Sequence, residues 1–432
     1  ERMAICVDPS EVAYFIAESD KENLECVHVA TVTDTGRLRM TWRGKTIVDL
    51  TREFLDTNGV QQEATVHVEA IGTESPLDCI AFESFADALG DLNISSQKGL
   101  GEMFDSSVGA GTVLSPFGGK HQCTPVDAMV ATLPFLEGQT KICTHMSWGF
   151  NANIATWSPY HGAAYAVTES VCRAVASGAR LSDIRLTLQE YFPKLGDDSS
   201  RWGLPFAALL GAFKAQHELR LGAIGGKDSM SGTFNDIDVP PTLVSFALAP
   251  GNTKHVVSPE FKEVNSLISF IEVPRDENQL PDFRALKEIA DTLHGANILA
   301  AHTLDHGGIA TGLSKMAFGN GIGASIKTDI NLHQERFLSF LIESKEEITG
   351  GIVIGKTQIE PTVQVGSDAL KLGELYDAWT NSLSEIYPET ADPSTSEADT
   401  FKSTFEAKHS TTKSQNPKVI IPAFPGTNSE YD

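Results

Sequence analysis

SPYHGAAYAVTESVCRAVASGA, residues 158–179, carries its own start and stop signals. Ser158 suits an N-cap, Pro159 the first helical position and Gly178 a C-terminal stop, so the stretch predicts one helix. Ala164, Val167, Val171 and Val175 fall on one stripe, with Glu169 opposite and sharing its face with Tyr165 and Arg173. The many alanines imply close packing against a sheet. On this helix alone, Glu169 and Arg173 read most simply as an i,i+4 pair on a solvated face. Lining a cleft, the same glutamate would be a rigidly held ligand.

At 432 residues, with 41% hydrophobic and 21% charged side chains, the chain suits two or three soluble domains. No apolar run reaches the length of a membrane span, and ERMAICVDPSEV lacks signal-peptide order. A formal charge of −24 disfavours nucleic acid as the main partner but leaves room for one nucleotide site. The six cysteines are scattered without a C-x-x-C pair, which predicts buried, reduced thiols and a cytoplasmic setting.

Both ends look cut. The chain opens directly into the apolar run MAICV and closes on VIIPAFPGTNSEYD, a strand and turn with nothing to pack against. ADPSTSEADTFKSTFEAKHSTTKSQNPK, residues 391–418, reads as a flexible linker. A long-range echo links the stretch beginning at Glu1 to the one beginning at Glu335. Each starts Glu-Arg-apolar, then gives a helix-like piece, an alternating strand (VHVATV; GIVIGK), a hairpin-like pair and an apolar element. The spacing is too wide for a solenoid and suits a duplicated multi-element domain. The expected division is 1–75, the tail of a first copy; 76–255 and 256–388, the two domains of a second copy; 389–417, a linker; and 418–432, the start of a further domain.

Three stretches could carry chemistry. In SPFGGKHQCTPVDAMVATLP (115–134), Asp127 stands inside a strand-like apolar run, where a charge is costly unless paired or metal-bound. Taken alone, a turn or cap aspartate is the simpler account. Glu169 is the second candidate. The third is GAIGGKDSMSGTF (222–234), which fails the P-loop pattern twice, with Leu221 where a glycine is needed and Asp228 after the lysine. It remains either an amide-rich turn bringing Lys227 to an anion and Asp228 to a hard cation, or a glycine-rich hairpin. Asp127, Glu169 and Asp228 together could supply oxygens to one Mg2+ holding nucleotide phosphates. DHGGIATG (305–312) reads first as a turn and helix start, with an anion site as the lesser reading. His161 reads as a solvated first-turn residue, and no convincing Cys-His pair or G-x-S-x-G stands out.

KGLGEMFDSSVGAGTVLSPFGGKHQCTPVDAMVATLP, the 158–192 helix stretch, WGLPFAALLGAFKAQHELRLGAIGGKDSMSGTF and GGIATGLSKMAFGNGIG together resemble phosphoribosylformylglycinamidine synthase, the large glutamine-dependent ligase of purine biosynthesis. The resemblance covers nearly the whole chain. It implies an α+β, aminoimidazole-ribonucleotide-synthetase-like (PurM-like) duplicated unit, with sheets covered by helices on one face. It implies ATP/ADP and Mg2+ as ligands, with Asp127, Glu169 and Asp228 on the metal and Val126, Lys227, Ser229 and Ser231 on the nucleotide. It also places Arg173 where relatives often carry a metal-binding asparagine, a substitution that alters coordination because a guanidinium cannot bind a cation. FPGTNSEYD resembles the opening of a glutaminase domain, so the glutaminase residues would lie past Asp432. The implied partners are that domain and the missing first synthetase half, or a second copy of the chain. A nucleotide-holding scaffold without chemistry, and another ATP-dependent synthetase of the same superfamily, stand as alternatives.

Overall fold

In the computed structural model, residues 4–57, 63–80, 82–104, 106, 111–135, 138, 140–389 and 420–421 are described. The expected linker and the following domain start lie outside them, apart from Glu389, Ile420 and Ile421.

Alternation builds the first large sheet. In Ile142–Gly149, Cys143, His145, Ser147 and Gly149 point inward while Ile142, Met146 and Trp148 point out. This strand lies third in a six-stranded sheet. In spatial order its strands are Thr112–Leu114, Met129–Thr132, Ile142–Gly149, Thr242–Asn252, Arg185–Tyr191 and Ala223–Lys227. Only the last pair is parallel.

The helix expected from its caps spans Pro159–Ala176. Ser158 Oγ accepts the His161 amide, and Gly178 takes φ +101° just past the helix end. The helix is not half-solvated: almost every residue from His161 to Ala176 is buried. One side meets the first sheet, another meets helix Ser199–Leu219, and a third meets helix Phe283–Gly295 and a second sheet. Alanines and glycines permit this. Gly211 of the neighbouring helix lies directly against the Tyr160 carbonyl, where no Cβ would fit.

The second sheet has seven strands, ordered Ile298–Thr303, Phe340–Ser344, Leu267–Ile271, Ile352–Gln358, Gly323–Ile326, Thr362–Val365 and Asp368–Lys371. Its central strands, such as FLIES and LISFI, are buried on both faces. Helices Gly308–Phe318, Leu372–Asn381 and Phe85–Gly90 cover the face away from the first sheet. Residues 85–94 therefore pack in this second core, with the Trp379 indole donating to the Ile94 carbonyl at 2.8 Å. A division at residue 255 drawn from sequence order alone misses that crossing.

The two ends of the echo share an order of elements. Hairpin Thr362–Val365/Asp368–Lys371 leads into helix Leu372–Asn381, and hairpin Arg37–Trp42/Lys45–Thr51 leads into helix Arg52–Asp56. The later hairpin extends the second sheet. The earlier one stands as a separate two-stranded sheet with Leu38, Met40, Trp42 and Ile47 exposed, and VHVATV (27–32) forms no strand.

Candidate functional site

Asp127 lies between the short paired segment Thr124–Pro125 and strand Met129–Thr132, not inside a strand. The Val126 amide donates to the Pro116 carbonyl at 3.1 Å, fixing the approach. The Asp127 carboxylate is buried and each oxygen has a protein partner: Oδ2 accepts the Thr303 amide at 2.6 Å, and Oδ1 lies 2.6 Å from His302 Nδ1. It ties the first sheet to the end of strand Ile298–Thr303 in the second.

Glu169 projects from the buried helix where Gly149 lets helix and strand approach. Its Oε2 accepts the Phe150 amide at 3.0 Å, and Arg173 Nη2 lies 2.6 Å from Oε1. The expected i,i+4 pair thus forms, but in the interior, with side-chain exposures of only 11% and 12%. The same Nη2 lies 3.6 Å from Asp305 Oδ2, and Arg173 Cζ stacks 4.5 Å from the Trp148 ring centre. Lys315 Nζ meets Asp305 Oδ1 at 3.3 Å. Beside it, Glu335 Oε2 accepts the Gly307 amide at 3.0 Å at the start of helix Gly308–Phe318, and Glu335 Oε1 lies 3.6 Å from His306 Nδ1. An internal carboxylate thus occupies the helix start read from DHGGIATG.

The electrostatics follow from this packing. Burial pushes the Glu169 carboxyl up, partly offset by Arg173. At Asp305 the burial effect is outweighed by Lys315 and Arg173, which hold it down to about 2. Burial opposes charge on His306, yet Glu335 and Asp305 raise it overall.

Asp228 does not join this cluster. Ala223–Lys227 is the edge strand of the first sheet, and Asp228 follows it, exposed. Four strand-to-strand steps of about 4.8 Å separate that edge from strand Met129–Thr132, about 19 Å in all. The glycine run is a strand rather than a hairpin: Gly226 lies so close to the Leu188 carbonyl that a Cβ would stand 2.6 Å from it. Lys227 Nζ sits 5.2 Å over the Tyr191 ring, Ser229 is bonded through its amide to the Glu190 carbonyl, and the Ser229 and Ser231 hydroxyls pair at 2.8 Å.

The residues present do not fit a magnesium ion. Asp127 and Glu169 spend their oxygens on protein donors, a guanidinium stands between Glu169 and Asp305, and Asp228 is remote. Among the described residues, no three His, Cys, Asp or Glu side chains converge as metal ligands.

Sequence reasoning missed His302, Lys315 and Glu335, and it placed Asp305 and His306 only in a turn and helix start. Their role depends on the second sheet's packing, and the only local signal was the charge density of HTLDHGG. His161 is buried, not solvated, with Nε2 2.8 Å from the Asn278 carbonyl oxygen. Cys143 and His145 do form a buried contact at 3.8 Å, but burial raises the thiol and drives the imidazole down to about 4, so the pair is neutral. Of the cysteines, only Cys143 and Cys172 are buried, and all six are free.

Comparison with known proteins sharpens the reading. The chain is 24% identical over 439 residues to phosphoribosylformylglycinamidine synthase subunit PurL of Nocardioides sp., covering 89% of this chain and 55% of the relative. It is similar to PurL. The Sulfurimonas denitrificans PurL is 25% identical, with 89% of this chain and 56% of the relative covered. The chain therefore spans about half the length of the curated relatives it matches. Among solved structures, Thermotoga maritima PurL complexed with FGAR matches at a TM-score of 0.58 with 18% identity, covering 81% of this chain and 52% of that one. Its complex with ATP matches at 0.56 with 17% identity, covering 81% and 53%. No protein-family profile matches. The fold is thus the mixed arrangement of sheets and helices seen in Thermotoga maritima PurL.

Proposed function

We propose that this chain forms half of the synthetase core of a phosphoribosylformylglycinamidine synthase-type carbon–nitrogen ligase in purine biosynthesis. The similarity of 89% of its length to PurL carries the reading. In that reaction ATP activates the glycinamide carbonyl oxygen of formylglycinamide ribonucleotide, ammonia from glutamine displaces phosphate, and the amidine results. Because the chain matches about half of each relative, turnover belongs to the whole assembly. The chain alone, given ATP, formylglycinamide ribonucleotide and ammonia, is expected to release no ADP above background. Sustained turnover would overturn the half-site reading.

Lys227, Ser229 and Ser231 are the proposed adenine-nucleotide contacts; Val126, beside Asp127 and about 19 Å from the edge strand Ala223–Lys227, is not counted with them, and no residue is assigned to magnesium. The outward face of the first sheet, with Met129, Ile142, Met146, Trp148 and Leu248 exposed, is the proposed pairing surface for the missing half. The segment 1–75 is proposed as the tail of that half, followed by domains 76–255 and 256–388 with the crossing at 85–94 noted above. A cytoplasmic location accompanies this reading; no helix among the described residues is long and apolar enough to cross a membrane.

The self-contained network around Glu169 favours a second reading, in which this half holds nucleotide without chemistry. Adenine nucleotide that co-purifies with the chain and survives extensive dialysis supports it. Nucleotide that exchanges freely supports an open, working site.

A further inference from the structure

We infer that the Arg173 guanidinium takes the place of a divalent cation, making the centre of this half independent of metal. One nitrogen, Nη2, faces two carboxylates on different elements, 2.6 Å from Glu169 and 3.6 Å from Asp305. Bridging a buried carboxylate, Glu169, and a half-buried one, Asp305, is what a bound cation would otherwise do, and such a pair without one is disfavoured. The other carboxylates of the centre also find donors within the protein, although His302 Nε2 and Thr303 Oγ1 are buried without a partner. Asp127 is held by His302 and the Thr303 amide, Asp305 by Lys315, and Glu335 by the Gly307 amide and His306.

Magnesium needs near-octahedral oxygen at about 2.1 Å. Among the described residues no such set converges, and a fixed guanidinium repels a divalent ion at this range. Trp148, stacked on Arg173, helps hold the guanidinium in position. Helix Pro159–Ala176 supplies both Glu169 and Arg173 one turn apart, so the arrangement is built into the element. It does not depend on whether the chain binds nucleotide, and the test uses the metal alone.

Thermal melting of the purified chain in EDTA and in 10 mM MgCl2, with ionic strength matched by NaCl, reads the proposal directly. Wild-type curves are expected to superimpose. R173N leaves Glu169 and Asp305 facing one another; it is expected to melt roughly 5 °C or more lower in EDTA and to regain roughly 3 °C with magnesium. R173K keeps a cation and is expected to stay indifferent to metal. Magnesium-specific stabilisation of wild type or R173K, or a folded R173N that ignores magnesium, would overturn the proposal. Should R173N fail to fold in either buffer, wild type and R173K decide alone.

Discussion

Glu343 is fully buried in strand Phe340–Ser344, a position no hydrophobic pattern would give a glutamate. It is tolerated because its two oxygens accept the Lys262 and Glu263 amides at 2.7 and 2.9 Å, so the buried carboxylate is paired with two donors of the neighbouring loop. Glu343→Ala strands both amides and is expected to cost on the order of 3 kcal/mol in urea unfolding, whereas Glu343→Gln, which keeps one acceptor, costs less than half of that. Equal losses would show that side-chain volume, not amide pairing, is what matters there. His145 makes a complementary prediction. Burial holds it at about 4 in the folded chain against 6.5 when free. Below 6.5 the unfolded chain gains a proton that the folded site refuses, so stability is fully present above 6.5 and is lost as pH falls toward 4, by on the order of 3 kcal/mol. His161 is shifted down by burial and adds with the same sign, while Glu343, shifted up, works against both. His145→Gln should make the stability–pH slope between 6.5 and 4 shallower than wild type, and an unchanged slope would refute the assignment.

At the scale of the element, helix Pro159–Ala176 shows what a sequence can disclose about itself. Its ends were readable because a cap involves residues within one turn: Ser158 to His161 at one end, Gly178 to Val175 at the other. Its Glu169–Arg173 pair was readable for the same reason. The surroundings were not, because burial on all sides is contributed by a second helix and a second sheet far along the chain. Asp228 teaches the same lesson in reverse. Its stretch reads as a turn or a hairpin and is an edge strand, and its distance from Asp127 is set by strand order, which no local pattern encodes. Where helix and sheet meet, Gly149 is the sensitive point. An alanine Cβ there would stand 2.7 Å from the Ser170 amide and press on the Ala166 carbonyl, forcing the two layers apart and displacing Glu169. Gly149→Ala should destabilise by about 2–3 kcal/mol. Gly222→Ala, with nothing within 4 Å and no left-handed backbone, should change stability by no more than about 0.5 kcal/mol. Similar melting of both variants would mean the layers can adjust.

The whole molecule is asymmetric in how it treats its two sheets. The second is covered on both faces, as its run of buried central strands requires. The first is covered on one, by the helix that carries Glu169, and its other face presents Ile142, Met146, Trp148 and Leu248 to solvent. Antiparallel sheets can leave one face wet, but such a face is then polar, and this one is not. The unpartnered hairpin at 37–51, with Leu38, Met40 and Trp42 exposed, makes a second uncovered surface in the same chain. Two such surfaces are costly to keep in water, so the isolated chain is expected to self-associate through the sheet. Ile142 and Met146 are the residues to change: both point outward, and neither touches Arg173 or its carboxylates. In the Ile142→Glu, Met146→Glu double variant each new carboxylate is solvated in a monomer but desolvated in a paired sheet. Sedimentation of wild type at micromolar concentration should give twice the monomer mass, and the double variant should give the monomer with an unchanged melting temperature. A wild type that stays monomeric, or a variant that stays paired, would move the contact away from this face.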